Sequence, residues 1–336
     1  MTNQPPSISL LGSGSWGTAL AKIISTNGVE LNWWFRNSAF ISQFKAHKHH
    51  PAYLSHILFD LNKIHFHTNI KNCLLKSQFI IIAIPSAYIE DSLKNIPKNL
   101  FKNKIIISAV KGILPYKNYL LNEYLAENFD FPMENYYTLL GPSHAEEVVT
   151  EKTTYLTITG SNQKQAQIIA NVFSNKFIIT RTNNNVKEVQ YAAILKNIYA
   201  LGAGIADGLG YGDNFISSFI ANCSREMDNW LIYLQHDESE NYHLLQSVFL
   251  GDLLVTCYSM HSRNRRFGMY IGKGYSVSSA NLELNMIAEG LNASRLLYNK
   301  YSKDFKKFFI ALSVYQILWE NKSPKSTFKK LEKLMF

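Results

Sequence analysis

The sequence predicts an α/β protein with a doubly wound parallel sheet in its N-terminal half and an all-helical domain in its C-terminal half. A glycine-rich turn near residue 12 follows an apolar run and precedes a helical segment. Short β-branched runs then alternate with helical segments until about residue 185, a pattern typical of parallel sheets. From residue 186 onward these runs stop, and glycine turns separate helical segments.

The first strand and its turn carry the most specific motif. Apolar residues 8–11 lead into GSGSWG at 12–17, and TALAKIIS follows with helical character. Gly12 allows a sharp turn, Gly14 lets the backbone approach a pyrophosphate, and Gly17 lets the helix pack close to the strand. The N–H groups at the start of this helix suit phosphate. The alternative is a purely structural glycine turn, but the context favours a Rossmann-type dinucleotide site.

The later strands are read from their β-branched content and continuous apolar character, which is expected of strands buried on both faces. They are VELNWWF at 29–35, FIIIAIPS at 79–86, NKIIISAVKG at 103–112, YYTLL at the start of 136–147, YLTITG at 155–160 and KFIIT at 176–180. The polar stretch RTNNN at 181–185 marks the boundary between a dinucleotide-binding domain, 1–185, and a helical substrate-binding and catalytic domain, 186–336.

Composition describes an ordinary globular protein, with 46% hydrophobic and 18% charged residues in a chain of 336. No signal peptide or membrane-spanning run is recognisable, and three scattered cysteines suit a reducing compartment, so a cytoplasmic location is expected. The net charge of +9 fits phosphate-bearing ligands, nucleic acid or an anionic membrane and does not choose among them.

The end of the second strand bears on the choice of dinucleotide. NAD-selective sites usually place an acidic residue there to bind the ribose 2′-hydroxyl. This strand instead ends in Trp-Phe-Arg-Asn, and Arg36 could pair with a 2′-phosphate. Arg36 therefore favours NADPH over NADH, although a surface arginine in a turn is an equally simple interpretation.

Lys196 lies in a helical segment that is apolar on every side, which predicts burial. A buried lysine has a lowered pKa and can exchange a proton near neutral pH. On position alone, a lysine that reaches the helix edge is the simpler alternative.

A dense polar run follows Asp252. Ser262, Arg263 and Asn264 precede two further arginines, and together they resemble a phosphate clamp more than a base-stacking surface.

These motifs resemble those of bacterial NAD(P)-dependent glycerol-3-phosphate dehydrogenases. The matches run in the family's order from residue 8 to about 290: GSGSWGTA at 12–19, IPS at 84–86, VKG at 110–112, GPSHAEE at 141–147, LKN at 195–197, GLGYGDN at 208–214, LGDLLVTCYSMHSRNRRFG at 250–268 and AEG at 288–290. The resemblance implies reversible reduction of dihydroxyacetone phosphate to sn-glycerol 3-phosphate, which supplies the glycerophospholipid backbone. It also makes a homodimer the default assembly, and no metal is implied.

The resemblance also implies roles for individual residues. Lys196 is the general acid and base, and Asp252 orients it or a substrate hydroxyl. The implied cofactor contacts are Gly12, Gly14, Ser15, Trp16, Gly17, Arg36, Lys111, Ala145, Arg263, Ile287 and Glu289. The implied substrate contacts are Lys111, Gly141, Ser143, Lys196, Asp252, Ser262, Arg263 and Asn264.

The chain departs from the family's pattern in three places. Ala221-Asn222-Cys223 stands where many relatives read TRG, so an arginine is missing there. His50 and Ser55 replace the first and last residues of an NxxYLP segment, and Phe249 precedes LGDL in place of a small residue. Rival functions are a 3-hydroxyacid dehydrogenase, a non-catalytic dinucleotide-binding regulator and a nucleic-acid binder.

Three further features are expected to be structural. The histidines between His47 and His67 are interpreted as a solvated loop, because no carboxylate or cysteine lies at ligand spacing. Cys257 is expected to pack in the core. The basic C-terminal segment is expected to dock through Phe328, Leu331 and Leu334 with its lysines in water, although contact with an anionic membrane is the alternative.

Overall fold

The computed structural model describes residues 7–234, 245–284 and 286–335. The chain divides into two compact units. The first contains the described residues of Met1–Val110 and Tyr119–Val186, and the second those of Lys111–Asn118 and Lys187–Phe336. The domain boundary at residue 185 stays a prediction, and the segment Lys111–Asn118 groups with the helical unit although it comes early in the chain.

The first unit alternates strands and helices. Its strands are β1 (Ile8–Leu11), β2 (Leu31–Trp34), β3 (Ile64–His67), β4 (Phe79–Ile82), β5 (Ile105–Ser108), β6 (Tyr136–Leu140), β7 (Thr154–Thr159) and β8 (Ile178–Asn183). Its helices are α1 (Ser15–Thr26), α2 (Ser38–His47), α3 (Ile70–Lys76), α4 (Ser86–Leu93), α5 (Leu121–Phe129), α6 (Ala145–Val149) and α7 (Gln163–Phe173).

All eight strands form one sheet in the order β3-β2-β1-β4-β5-β6-β7-β8. Every residue of β1, β2, β4, β5 and β6 is buried, as their continuous apolar runs predicted. The predicted doubly wound α/β architecture is confirmed, with one difference. β6 and β7 pair antiparallel, because only the short helix α6 lies between them and antiparallel neighbours need no full crossover helix.

Three local features of this unit differ from the predictions. β3, with sequence IHFH, was not predicted, because four residues with two histidines lack a strand signal. The histidines were assigned to a solvated loop, yet His50 is fully buried against Phe35, and His67 lies in β3 with Nε2 2.9 Å from Asn32 Oδ1. β8 also extends through Asn183, so the first half of the predicted linker is strand.

The second unit is helical. It contains α8 (Val186–Gly208), α9 (Asp213–Leu234), α10 (Asp252–Tyr258), α11 (Arg263–Gly272), α12 (Val277–Leu284), α13 (Glu289–Tyr301), α14 (Phe309–Trp319) and α15 (Pro324–Leu334), and a π-helical segment, Ser247–Gly251, leads into α10. In the described part of the chain, no helix is both long enough and apolar enough to cross a membrane.

The central helix α8 is buried from Glu188 to Ala206, as its apolar sequence predicted. It meets α11 backbone to backbone at glycines. A Cβ added to Gly204 would lie 2.0 Å from the Arg265 carbonyl oxygen, and one added to Gly268 would lie 2.0 Å from that of Leu201. Only glycine permits this separation, which sets α11 directly against the helix that carries Lys196.

The C-terminal helix α15 docks as expected through Phe328 and Leu331, which are buried against the second unit. Phe328 lies near the rings of Tyr211, Phe215 and Phe219. Leu334 differs from the expectation, because 54% of it is exposed.

We expect Gly268→Ala to lower the free energy of unfolding by about 3 kcal/mol, at the upper end of overpacking costs, because its Cβ would strike a backbone carbonyl. The gain in helix propensity, about 1 kcal/mol, does not offset this. Urea unfolding followed by circular dichroism measures the change. The control is Gly212→Ala, whose Cβ would meet nothing within 4 Å and should cost under about 1 kcal/mol. Equal losses in the two variants would contradict the close helix contact.

Candidate functional site

The glycine turn after β1 has the shape that a dinucleotide requires. Gly12 has φ +122°, and a Cβ there would lie 2.6 Å from the Ala83 carbonyl oxygen. A Cβ on Gly17 would lie 2.3 Å from the Gly12 oxygen, whereas Gly14 has nothing within 4 Å of its missing side chain. The first and third glycines therefore serve packing, while the second leaves the backbone open to a ligand.

The start of α1 lies directly after this turn. Gly14 is the N-cap residue, Ser15 and Trp16 are the first two helical positions, and no acidic side chain occupies the first turn. The first N–H groups of a helix have no intrahelical acceptor, and the helix dipole favours an anion beside them. The residues present therefore fit the pyrophosphate of a dinucleotide.

Arg36 follows the end of β2 and is exposed. Its guanidinium lies 5.2 Å from the centre of the Tyr88 ring, while Asn37 next to it caps α2. A guanidinium supported by an aromatic face and open to solvent is suited to a phosphate partner.

Lys196 is the most unusual ionisable group of the second unit. It is 4% exposed, and its Nζ donates to Asp252 Oδ1 at 2.5 Å and to Thr256 Oγ1 at 3.1 Å. Burial lowers the pKa of Lys196 from 10.5 to about 7, against the opposing effect of the Asp252 carboxylate, and the nearby Lys111 ammonium lowers it further. The amine is therefore able to give or accept a proton near neutral pH.

Asp252 has a second oxygen with a different environment. Oδ2 is buried and accepts no hydrogen bond from any residue in the described part of the chain. A buried carboxylate oxygen left without a donor is costly, so its geometry suits a ligand hydroxyl beside Lys196. Thr256 was missed by the sequence reasoning, although its spacing of four residues from Asp252 on one helix face was the available signal.

A chain of amides supports this pair. Asn197, next to Lys196, donates from Nδ2 to the Lys111 carbonyl oxygen at 3.2 Å. Asn264 donates to Asn197 Oδ1 at 2.9 Å and accepts from the Gly290 N–H at 2.9 Å. Three segments are thus tied to α8, and Lys111 is held at a fixed position along it. Asn197 was not among the predicted site residues.

In the predicted phosphate clamp around residues 262–266, some side chains already make contacts within the protein. Ser262 caps α11, its Oγ accepting from the Arg265 N–H at 3.2 Å. Arg265 contacts Asp207 at 3.3 Å and donates to the Tyr258 carbonyl, so it is already committed to the fold. Arg263, the first residue of α11, is half-buried and stands beside the free N–H groups of that helix start.

The remaining predicted contacts lie in both units. In the first, Gly141 has φ +136°, Ser143 Oγ donates to its carbonyl at 2.9 Å, and Ala145 begins α6. In the second, Glu289 begins α13, and Ile287 lines a surface cleft with Asn281, Met286, Ala288, Leu291 and Asn292.

Two other predicted features have ordinary packing roles. Cys257 is buried, as expected, and burial raises the pKa of its thiol to about 12. Asn222, where relatives carry arginine, donates to the Ser218 carbonyl at 2.9 Å and accepts from Arg225 at 2.8 Å. Among the described residues, no group of three or more His, Cys, Asp or Glu side chains is placed to hold a metal ion.

Comparison with known proteins agrees with this site. The family model of the NAD-dependent glycerol-3-phosphate dehydrogenase N-terminus matches residues 7–166, and that of the C-terminus matches residues 185–329. The chain is 33% identical over 324 residues to a glycerol-3-phosphate dehydrogenase [NAD(P)+] of Clostridium botulinum (strain Eklund 17B / Type B), covering 96% of both chains. A relative with the same name from Thermoanaerobacter sp. (strain X514) is 33% identical and covers 94% of both.

A crystal structure of glycerol-3-phosphate dehydrogenase from Coxiella burnetii superposes with a TM-score of 0.88 at 26% identity, covering 97% of this chain and 98% of that one. Both family models and the full-length relatives point the same way as the glycine turn and the Lys196–Asp252 pair. The chain therefore belongs to the NAD-dependent glycerol-3-phosphate dehydrogenase family of oxidoreductases.

Proposed function

We propose that this chain reversibly reduces dihydroxyacetone phosphate to sn-glycerol 3-phosphate, with NADPH favoured over NADH, and so supplies the backbone of glycerophospholipids. The observation that carries the proposal is the buried Lys196 amine, whose pKa lies near 7. It lies beside Asp252, whose Oδ2 accepts no hydrogen bond in the described part of the chain. Reduction of a ketone needs a proton for the new alkoxide, and this amine is suited to provide it. A cytoplasmic location and a homodimer are part of the proposal and rest on the family.

Lys196 acts as the general acid in reduction. An ammonium has three N–H bonds, and Asp252 and Thr256 accept two of them. The third proton passes to the oxygen on C2 of the ketone as that oxygen gains negative charge. In the oxidation direction the neutral amine takes the hydroxyl proton back, so one group serves both directions.

Asp252 has two roles. Through Oδ1 it holds the Lys196 Nζ in place and favours its protonated form. Through Oδ2 it accepts a hydroxyl of the substrate, which orients the carbon chain next to the amine. Lys111 approaches from the segment fixed by Asn197 and adds positive charge beside the reacting oxygen.

The substrate phosphate binds at the start of α11. Arg263 supplies charge there, and the N–H groups of the first turn supply dipoles. Ser262 and Asn264 shape this end, one by capping the helix and the other by joining it to Gly290. Gly141 and Ser143 are further substrate contacts.

The dinucleotide is held at the glycine turn by Gly12, Gly14, Ser15, Trp16 and Gly17. Arg36 meets the adenosine ribose, and further contacts come from Lys111, Ala145, Arg263, Ile287 and Glu289. When bound, the nicotinamide supplies the hydride. The chain itself binds, orients and handles the proton.

Replacing Lys196 tests the proposal directly. We expect Lys196→Ala to lower kcat for reduction of dihydroxyacetone phosphate by about 10²- to 10⁴-fold, because the general acid is lost. Oxidation of NADPH followed at 340 nm measures the rate. The control is Lys187→Ala on the first turn of the same helix, where an exposed lysine donates to the Leu234 carbonyl. Wild type that binds a dinucleotide but does not turn over this substrate would favour a 3-hydroxyacid dehydrogenase or a regulator.

The pH profile tests the role of Asp252. The acid form of Lys196 is needed for reduction, so kcat/KM should be level below pH about 7 and fall above it. In Asp252→Asn the carboxylate no longer favours the protonated amine, so the decline should begin at lower pH. Oxidation of glycerol 3-phosphate should show the mirror profile, rising through the same pH. An Asp252→Asn profile that keeps its position or moves to higher pH would remove Asp252 from this role.

Arg36 is expected to set the preference for NADPH. Arg36→Ala should raise KM for NADPH about tenfold while leaving KM for NADH within twofold, because only the former carries a 2′-phosphate for the guanidinium. Steady-state kinetics with both cofactors measure the ratio. Arg181→Ala, which removes another exposed arginine of the same unit, is the control. Equal changes with both cofactors would assign Arg36 to the shared part of the dinucleotide.

A further inference from the structure

One ring nitrogen of the first unit's aromatic core binds the glycine turn. The indole Nε1 of Trp33, on β2, donates to the Gly12 carbonyl oxygen at 2.9 Å, and both groups are buried. This bond joins the second strand to the turn at the first glycine of the dinucleotide motif. It was not foreseen from the sequence, in which Trp33 was only part of an apolar run.

The indole has little freedom to turn away from Gly12. Trp33 is fully buried, with ring centres 4.7 Å from Phe35 and 5.5 Å from Phe44. Phe59 and Phe66 lie at 6.0 and 6.1 Å from it. A ring enclosed by four others keeps one orientation, so its N–H is a fixed donor.

His50 approaches the same turn from another loop. Its Nδ1 accepts the N–H groups of Ala52 and Tyr53, both at 3.0 Å. In a neutral imidazole the proton is then on Nε2. Burial lowers the pKa of His50 to about 4, so the ring is neutral at pH 7.

The Ser13 backbone raises the pKa of the His50 ring against the effect of burial. The Nε2 of His50 is buried and has no hydrogen-bond partner among the described residues. The ring also stacks on Phe35, with centres 5.7 Å apart and planes 18° apart. Trp33 therefore binds the Gly12 carbonyl, and His50, which interacts with the next residue, Ser13, shares the aromatic neighbour Phe35 with it.

Because the peptide bond is planar, the direction of the Gly12 carbonyl also fixes the direction of the Ser13 N–H. In a trans peptide the C=O and the following N–H point in opposite directions. With the Gly12 carbonyl directed at Trp33, the Ser13 N–H is directed away from the aromatic core. Gly12 is buried, whereas Ser13 and Gly14 are half-buried, so the turn is accessible to a ligand after its first glycine.

We propose that Trp33, assisted by His50, is a positioning residue of the dinucleotide site, which holds the Gly12 carbonyl toward the core and thereby presents the N–H groups of the turn to the pyrophosphate. The inference rests on the proposed function for the identity of the ligand. What it adds is that the affinity of the glycine turn for the dinucleotide depends on two rings that do not contact the dinucleotide.

The test compares two neighbouring tryptophans. Trp33→Phe keeps an aromatic ring but removes the N–H that reaches Gly12. Trp34→Phe is the matched control, because the Trp34 Nε1 donates to the Thr68 carbonyl at 3.0 Å, away from the turn. Isothermal titration of the full chain with NADPH gives Kd without any turnover, and circular dichroism verifies folding.

We expect Trp33→Phe to raise Kd for NADPH roughly fivefold to tenfold and Trp34→Phe to change it less than twofold. KM for dihydroxyacetone phosphate should stay within twofold in both, since a general loss of structure would move it as well. Equal Kd values for the two variants would overturn the proposal. If Trp33→Phe does not fold, His50→Phe, which keeps the stacking but removes the ring nitrogens, must raise Kd in the same way, and an unchanged Kd would overturn it. Wild type that binds neither NADPH nor NADH would instead contradict the proposed function.

Discussion

The central constraint on the second unit is the burial of the Lys196 amine. Burying an ammonium costs several kcal/mol unless a partner and hydrogen bonds compensate for it. Asp252 and Thr256 provide that compensation on one side of Lys196, and the result is a pKa near 7 instead of 10.5. The site is thus a balance between desolvation, which favours the neutral amine, and a carboxylate, which favours the ammonium. Together the two effects leave an amine that can give or accept a proton near neutral pH.

Burial on all sides imposes a packing requirement on α8. A helix surrounded by other helices can be approached closely only where side chains are absent, and the glycines shared with α11 provide that approach. The same close approach brings Asn264 within hydrogen-bond distance of Asn197, which in turn binds the Lys111 carbonyl. The hydrogen bonds between these amides therefore depend on the packing of the two helix backbones. The arrangement of side chains around Lys196 and Asn197 therefore follows from helix packing more than from loops.

The sequence predicted the sheet and the character of the second unit well, because continuous apolar runs and all-round apolar helices are strong signals. β3 was missed since its four residues show neither signal, and the antiparallel β7 could not be read from a strand's own sequence, which carries no direction. The burial of Lys196 was predicted from the apolar helix around it, whereas the roles of Lys196 and Asp252 come from the family resemblance and stay predictions. Thr256 and Asn197 were missed because their roles arise from contacts 60 and 86 positions away along the chain. His50 was misread because burial of a polar residue in an aromatic cluster has no local pattern.

One consequence of the division into units concerns how the protein could be dissected. The helical unit is not a contiguous C-terminal piece, since Lys111–Asn118 belongs to it while the chain around that segment belongs to the other unit. A fragment beginning at residue 187 would lack both the Lys111 side chain and the carbonyl that Asn197 uses as acceptor. The two halves of the sequence are therefore not interchangeable modules. A hybrid assembled by joining the halves of two relatives near residue 187 would combine the Lys111 segment of one parent with the helices around Lys196 of the other.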